Sequence, residues 1–333
     1  MGMASHIRHE AVTDMWPLRR YRDSRGPRSP LGGRGPRQQE RERARERQEA
    51  GRARQRARGR SRKPPAAGAR SARVSRLHVH TWGDEDAPPV VCLHGVTSSG
   101  RHFERLAGRL APAYRVVAPD LVGHGDSPRE PPWRLDDHVA AVEDSVGEAA
   151  VWLGHSFGAR IAFEHAARRP GTVERLVLLD PAILLPPHVA LWAAENARRE
   201  RSYESFEAAI DRRYEESQLH DAPRALVEAE LRHHMVEEED GWRYRYTQAC
   251  VVTAYSEMAT SPPPFARVRV PTLLVLGADS YLPYDHLLDA HRDALGDLLE
   301  VVTVPGGHTV LWDALDETAD EVASFLARPA ADT

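Results

Sequence analysis

Cysteine is scarce in this chain. Cys92 and Cys250 are the only two in 333 residues and stand 158 positions apart, which excludes a disulfide framework, a zinc cluster and a C-x-x-C redox pair. Long apolar runs are missing too. No stretch approaches the roughly eighteen residues of a membrane helix, and none near Met1 could form the core of a signal peptide. The opening residues put His6 where a myristoylation signal wants Ser or Thr, and Arg19-Arg20 has no apolar stretch after it. Lysine is almost absent, with Lys63 alone beside 44 arginines. These absences describe a soluble, unexported chain that is expected in the cytoplasm with reduced thiols and no membrane partner.

The net charge of −4 conceals a division. Residues 1–73 carry +14 and the remaining 260 residues −18. From Gly32 to Arg73 the only hydrophobic residue type is Ala, so the segment buries too little apolar area to offset the entropy of ordering it. It reads as a disordered basic tail. An Arg-rich arm suits a nucleic acid or another polyanion. A solvated leader is the plainer reading, as is a start codon assigned too early in a GC-rich gene, and nothing in the tail resembles an active site.

After Arg73 the composition changes, and residues 74–333 read as one folded domain. Short, almost wholly apolar strands are predicted at Leu77–Trp82, Val90–Leu93, Arg115–Ala118, Ala149–Leu153, Val173–Leu179, Thr272–Leu276 and Leu299–Val304. Helical spacing separates them at Arg101–Leu110, Leu135–Val146, Phe157–Arg169, Tyr284–Leu295 and Leu311–Ala327. Strands of this kind, alternating with helices, imply an α/β, doubly wound and mostly parallel sheet covered on both faces. The rhythm breaks after Asp180. About 85 residues, centred on 183–267, read as helices with no legible strand, a helical cap inserted after the sixth strand and lying over the sheet's carboxyl edge.

The strongest local signal is Gly154-His155-Ser156-Phe157-Gly158, between an apolar strand and a helix. This is the G-x-S-x-G elbow in the context it requires, with Ser156 exposed at the apex of a sharp turn. A serine hydroxyl needs a base and a group that holds the base in the right tautomer. His308, after a strand and Pro305-Gly306-Gly307, is the predicted base. Asp279, just past the strand Thr272–Leu276, is the predicted acid, with Asp180 after Leu178-Leu179 as its rival. The backbone N–H groups of Phe157 and Val96 are the predicted oxyanion donors, the second from the loop following Val90–Leu93.

These motifs resemble the α/β-hydrolase superfamily in its cap-bearing branch, over about Leu77 to Ala327. The His94-Gly95 loop, the Asp120-Leu121-Val122-Gly123-His124-Gly125-Asp126-Ser127 loop, the elbow, the Asp279 turn and Gly307-His308 carry the resemblance. It implies that the Asp120–Ser127 loop is structural, so His124 and Asp126 stay outside the catalytic set. The family also begins with an antiparallel hairpin, which here would have to draw on a very short strand at Ala72–Ser75 or has been lost to the tail.

The resemblance implies a serine hydrolase that forms a covalent acyl-enzyme, most simply on a small carboxylic ester or lactone, without metal or organic cofactor. Carbon–carbon bond hydrolysis and a slow-turnover ligand receptor are the alternatives. Ser156 excludes the epoxide and haloalkane reactions of relatives that place aspartate at the elbow. The aromatics of the cap, Trp192, Tyr203, Phe206, Tyr214, Trp242, Tyr244, Tyr246 and Tyr255, suggest an apolar acyl substrate. Trp242, Tyr244 and Tyr246 alternate as on an extended segment, and the acidic domain disfavours a highly anionic substrate through long-range repulsion.

Overall fold

The computed structural model describes residues 76–199, 201–219 and 222–328, all within the unit formed by residues 70–333. The basic tail read at 1–73 and the strand considered at 72–75 lie outside the described residues.

In chain order the elements are β1 Val79–Trp82, β2 Pro89–Leu93, α1 Glu104–Leu110, β3 Arg115–Pro119, α2 Leu135–Val146, β4 Val151–His155, α3 Phe157–Arg168 and β5 Arg175–Leu179. An insertion follows, with α4 Pro187–Ala197, α5 Phe206–Ser217, α6 Arg224–His234, β6 Met235–Glu238, β7 Gly241–Tyr244 and α7 Gln248–Met258. The chain then returns through β8 Thr272–Gly277, α8 Asp285–Leu295, β9 Leu299–Val304, α9 Val310–Asp313 and α10 Leu315–Ala327. Among the described strands the insertion therefore follows the fifth of the main sheet. It also carries a strand pair that the sequence reading missed.

Seven strands form one sheet in the order β1-β3-β2-β4-β5-β8-β9. All neighbours are parallel except β1, which runs antiparallel to β3. Alternation sorts the side chains into two layers. Val91 and Leu93 join Trp152, Ile161, Phe163 and Val142 on the face covered by α2 and α3. Val90 and Cys92 join Leu106, Leu110, Val322 and Phe325 under α1 and α10. Each such fully buried aliphatic or aromatic side chain contributes about 1.5–3 kcal/mol, and two dry layers keep the sheet rigid beneath its carboxyl edge. Both cysteines are free and buried, Cys92 in β2 and Cys250 on α7, as the sequence led us to expect. Burial pushes the Cys250 thiol up to about 12.

The insertion has its own small core of Phe206, Ile210, Val227, Leu231 and Met235, into which Trp312 of α9 also packs. Its two ends meet at Arg160 on α3. This buried guanidinium donates to the carbonyls of Ile183 at the start of the insertion and of Thr260 at its end, the latter at 3.1 Å, while Glu164 neutralises it. No helix among the described residues is long and apolar enough to cross a membrane.

Asp120, at the end of β3, knots this edge together. Its carboxylate accepts from Gly100 N at 2.7 Å, Asp126 N at 3.0 Å and His80 Nε2 at 3.2 Å. Burial opposes its ionisation, but these three donors prevail and hold it well below the usual carboxylate range. Gly125 fits only because it lacks a side chain, since a Cβ there would lie 2.1 Å from Asp120 Oδ2. Asp120→Ala should cost about 1–3 kcal/mol of unfolding free energy by removing the acceptor of three donors, of which Gly100 N is buried. Urea titration checks this, and a change below about 0.5 kcal/mol would refute the role.

Candidate active site

Ser156 sits between β4 and α3 with φ 54° and ψ −117°, a backbone region that L-residues rarely occupy. The flanking glycines are required by contact. A Cβ on Gly154 would lie 2.4 Å from Ala159 N, and one on Gly158 would lie 2.0 Å from Leu93 O. Gly158→Ala therefore forces α3 away from β2, and we expect it to cost more than about 3 kcal/mol or to prevent folding. A thermal melt within a few degrees of the parent would contradict this. Ser156 N donates to Leu179 O at 3.1 Å, and Ser156 O accepts from Ala182 N at 3.1 Å, which ties the elbow to the end of β5.

His308 is nearly buried, and its Nδ1 donates to Asp180 Oδ2 at 2.5 Å. Asp180 also accepts from Ser280 Oγ at 2.6 Å and Gly277 N at 2.9 Å. With Nδ1 bound in this way, Nε2 of His308 is left to act as a base. The preference for Asp279 is thus corrected. Asp279 is exposed, its backbone N–H donates to Gly306 O at 2.9 Å, and its carboxylate meets no partner among the described residues.

Sheet register gives the reason. His155 pairs with Leu179 across β4 and β5, so the next residues, Ser156 and Asp180, leave the sheet side by side. Asp279 leaves from β8, one strand further on, and two residues past Gly277. Asp180 has φ 38°, an unusual turn that carries its carboxylate towards His308.

The loop after β2 lies against the nucleophile, where a Cβ on Gly95 would be 3.0 Å from Ser156 Cβ. His94 fixes this loop. Its Nδ1 donates to Gly95 O at 2.7 Å and its Nε2 accepts from Leu121 N at 2.9 Å. Burial pushes its pKa down to about 4, so both bonds belong to the neutral ring. Val96 follows Gly95 directly, and Phe157 opens α3. The loop that carries Val96 and the helix that Phe157 opens both adjoin Ser156.

Contacts from the insertion converge on the same loops. Arg213 Nη2 donates to Thr97 O at 3.0 Å, and His234 Nε2 donates to the same oxygen at 3.0 Å. Thr97 itself has φ 62°. Glu230 receives His102 Nδ1 at 3.0 Å and Trp312 Nε1 at 2.5 Å. His155 donates through Nε2 to His308 O at 2.9 Å, and Tyr281 lies 5.0 Å from the His308 ring, centroid to centroid. His124 Nδ1 donates to Val122 O at 3.0 Å and its ring lies 5.2 Å from that of His94, centroid to centroid, while Asp126 pairs with Arg245.

Sequence reasoning missed Arg213, Glu230, His234 and Ser280. No local signal separates Arg213 from 44 arginines or His234 from 17 histidines. His78, His80 and Asp120 are the one group among the described residues able to approach a metal ion together. Asp120 already serves the knot at the end of β3.

A parallel sheet with a serine elbow and a carboxylate-bound histidine defines a nucleophilic hydrolase class. The Alpha/beta hydrolase family profile matches residues 90–323, and the chain belongs to that family. Lipase LipV of Mycobacterium tuberculosis is 34% identical over 258 residues, which cover 75% of this chain and 97% of that protein. The sn-1-specific diacylglycerol lipase ABHD11 of Mus musculus is 30% identical over 257 residues, covering 74% and 83%. The crystal structure of E-2-(acetamidomethylene)succinate hydrolase superposes with a TM-score of 0.67 at 24% identity, covering 76% of this chain and 95% of that one. The chain is a serine hydrolase of the α/β fold, of the esterase and lipase kind.

Proposed function

We propose that Ser156, His308 and Asp180 form a catalytic triad that hydrolyses a carboxylic ester or lactone through an acyl-enzyme. The observation that carries this reading is the bond from His308 Nδ1 to Asp180 at a strand end adjoining the strained elbow of Ser156. Nε2 of His308 takes the serine proton as Oγ attacks the acyl carbon. The N–H groups of Phe157 and Val96 hold the oxyanion, each worth about 2.7–4 kcal/mol of transition-state stabilisation. The proton then passes from His308 to the departing oxygen. Water, deprotonated by His308, attacks the acyl carbon in turn, which releases the acid and restores Ser156.

The lipase names of the two relatives favour ester substrates over carbon–carbon cleavage. We assign residues 74–333 as the hydrolase domain and about 183–267 as its cap. A fluorophosphonate probe tests the reading, since it labels only an activated serine. Labelling of the full chain that disappears in Ser156→Ala supports it. A folded, unlabelled parent protein would overturn it.

A further inference from the structure

The insertion is rich in arginines that meet carboxylates. Arg201 and Arg212 pair with Glu216, Arg224 with Asp211, Arg232 with Glu228 and Arg245 with Asp126. Arg213 departs from this pattern. Among the described residues no carboxylate lies within ion-pair distance of it. Its Nη2 is engaged by Thr97 O, its Nη1 reaches Thr97 Oγ1 only at 3.5 Å, the Tyr244 hydroxyl is hydrogen-bonded to it, and its Nε is buried without a hydrogen-bond partner. The guanidinium carbon stands 4.8 Å from the Tyr244 ring centroid and 5.8 Å from that of Trp312. Glu216, already bonded to Arg201 and Arg212, acts on Arg213 only from beyond ion-pair distance, and an enclosed guanidinium without a direct carboxylate partner is costly.

Arg213, Tyr244, Tyr246, Tyr255 and Tyr281 are each walled in by protein, and burial raises all four phenols above the ordinary tyrosine range. Each nevertheless keeps solvent-accessible surface. Arg213 stacks on Tyr244 and Tyr244 on Tyr246, so these half-buried groups form one partly open face. Tyr281 rests against His308, and Thr97 follows the loop after β2, so this face adjoins the proposed triad. It offers neutral aromatic rings and one permanent cation.

We infer that Arg213 is a specificity residue that binds a carboxylate on the substrate, so that the preferred ester or lactone carries an acid group on its acyl or alcohol part. This rests on the hydrolase reading above. A planar guanidinium matches the two oxygens of a carboxylate, and a single carboxylate held locally outweighs the diffuse repulsion of an acidic domain, which solvent screens beyond about 8–10 Å. The bound carboxylate would supply that direct partner while Thr97 keeps its bond.

The test compares p-nitrophenyl hemisuccinate, hemiglutarate and hemiadipate with p-nitrophenyl butanoate, pentanoate and hexanoate. The full chain, Arg213→Met and Arg213→Lys are assayed, with fluorophosphonate labelling of Ser156 in parallel. The readout is the ratio of kcat/KM for the acidic ester over its neutral partner. We expect the ratio to fall about 30-fold or more in Arg213→Met, chiefly through KM, and by less in Arg213→Lys, which keeps the charge but loses the fork. An unchanged ratio, with both esters slowed alike, would mean that Arg213 only braces Thr97 and would overturn the inference. If Ser156 is labelled and the parent shows no preference for any acidic ester, the inference falls and the hydrolase reading stands. If nothing is labelled and no ester is cleaved, both fall.

Discussion

Replacing Ser156 with alanine should lower kcat by about 10⁶-fold and Asp180 with asparagine by about 10³–10⁴-fold, whereas Asp279→Asn should stay within about threefold of the parent. The serine change removes the atom that forms the acyl bond. The Asp180 change keeps shape and hydrogen bonding but removes the charge that stabilises His308 as it gains a proton. It also lets Nδ1 lose its hydrogen to the wrong tautomer. Asp279 is exposed and touches neither partner, so its charge acts only through water. Steady-state rates on a p-nitrophenyl ester, with circular dichroism to verify folding, decide the matter. A folded Asp279→Asn protein as impaired as Asp180→Asn would transfer the acid role back and refute the geometry.

This contrast marks where the sequence could be read and where it could not. All seven strands of the main sheet were legible: the central strands β2, β3, β4, β5 and β8 are largely buried and become short apolar runs, whereas β1 and β9 are only partly covered. The elbow and His308 were legible because a strained turn demands glycines at fixed offsets. The acid was not. Asp180 and Asp279 both follow strands, and only the pairing of β4 with β5 and the local φ of Asp180 distinguish them. The alternation of Trp242, Tyr244 and Tyr246 was visible, yet its partner Met235–Glu238, which mixes two apolar residues with two glutamates, has no strand signature. Arg213 depends on contacts between segments more than a hundred residues apart.

Acid should unfold this protein well above the pH at which carboxylates titrate. Burial pushes His94 and His291 down to about 4, and His124 and His138 down to about 3. The unfolded chain titrates these rings near 6.5. Folded values that are depressed mean that the unfolded state binds more protons below 6.5, so stability is full above that pH and declines as pH falls towards 4. Each ring removes about 1.4 kcal/mol per pH unit in that window. At pH 5 the four together remove several kcal/mol, a large share of the stability of a typical domain, about 5–15 kcal/mol.

We therefore expect the urea midpoint to drop steeply between pH 6.5 and 5, with loss of the near-UV signal near pH 5. His138→Asn, which removes one ring, should shallow the slope by about 1.4 kcal/mol per pH unit. A midpoint constant down to pH 4 would show that these rings titrate normally. Asp120 adds to the loss only at lower pH, where its depressed carboxylate becomes protonated.

The grip of Arg160 on both ends of the insertion bears on how such a protein can be re-engineered. The chain leaves the sheet domain at Ile183 and returns at Thr260 beside the same guanidinium. Everything between these points is a cassette pinned there and held further by Arg213 and His234 on Thr97, Glu230 on His102 and Trp312, and Arg245 on Asp126. A replacement of different length and chemistry would have to present two carbonyls to Arg160 and new partners for Thr97, His102 and Trp312. The elbow, the acid and the histidine, all rooted in the sheet, would not have to be rebuilt for each new occupant.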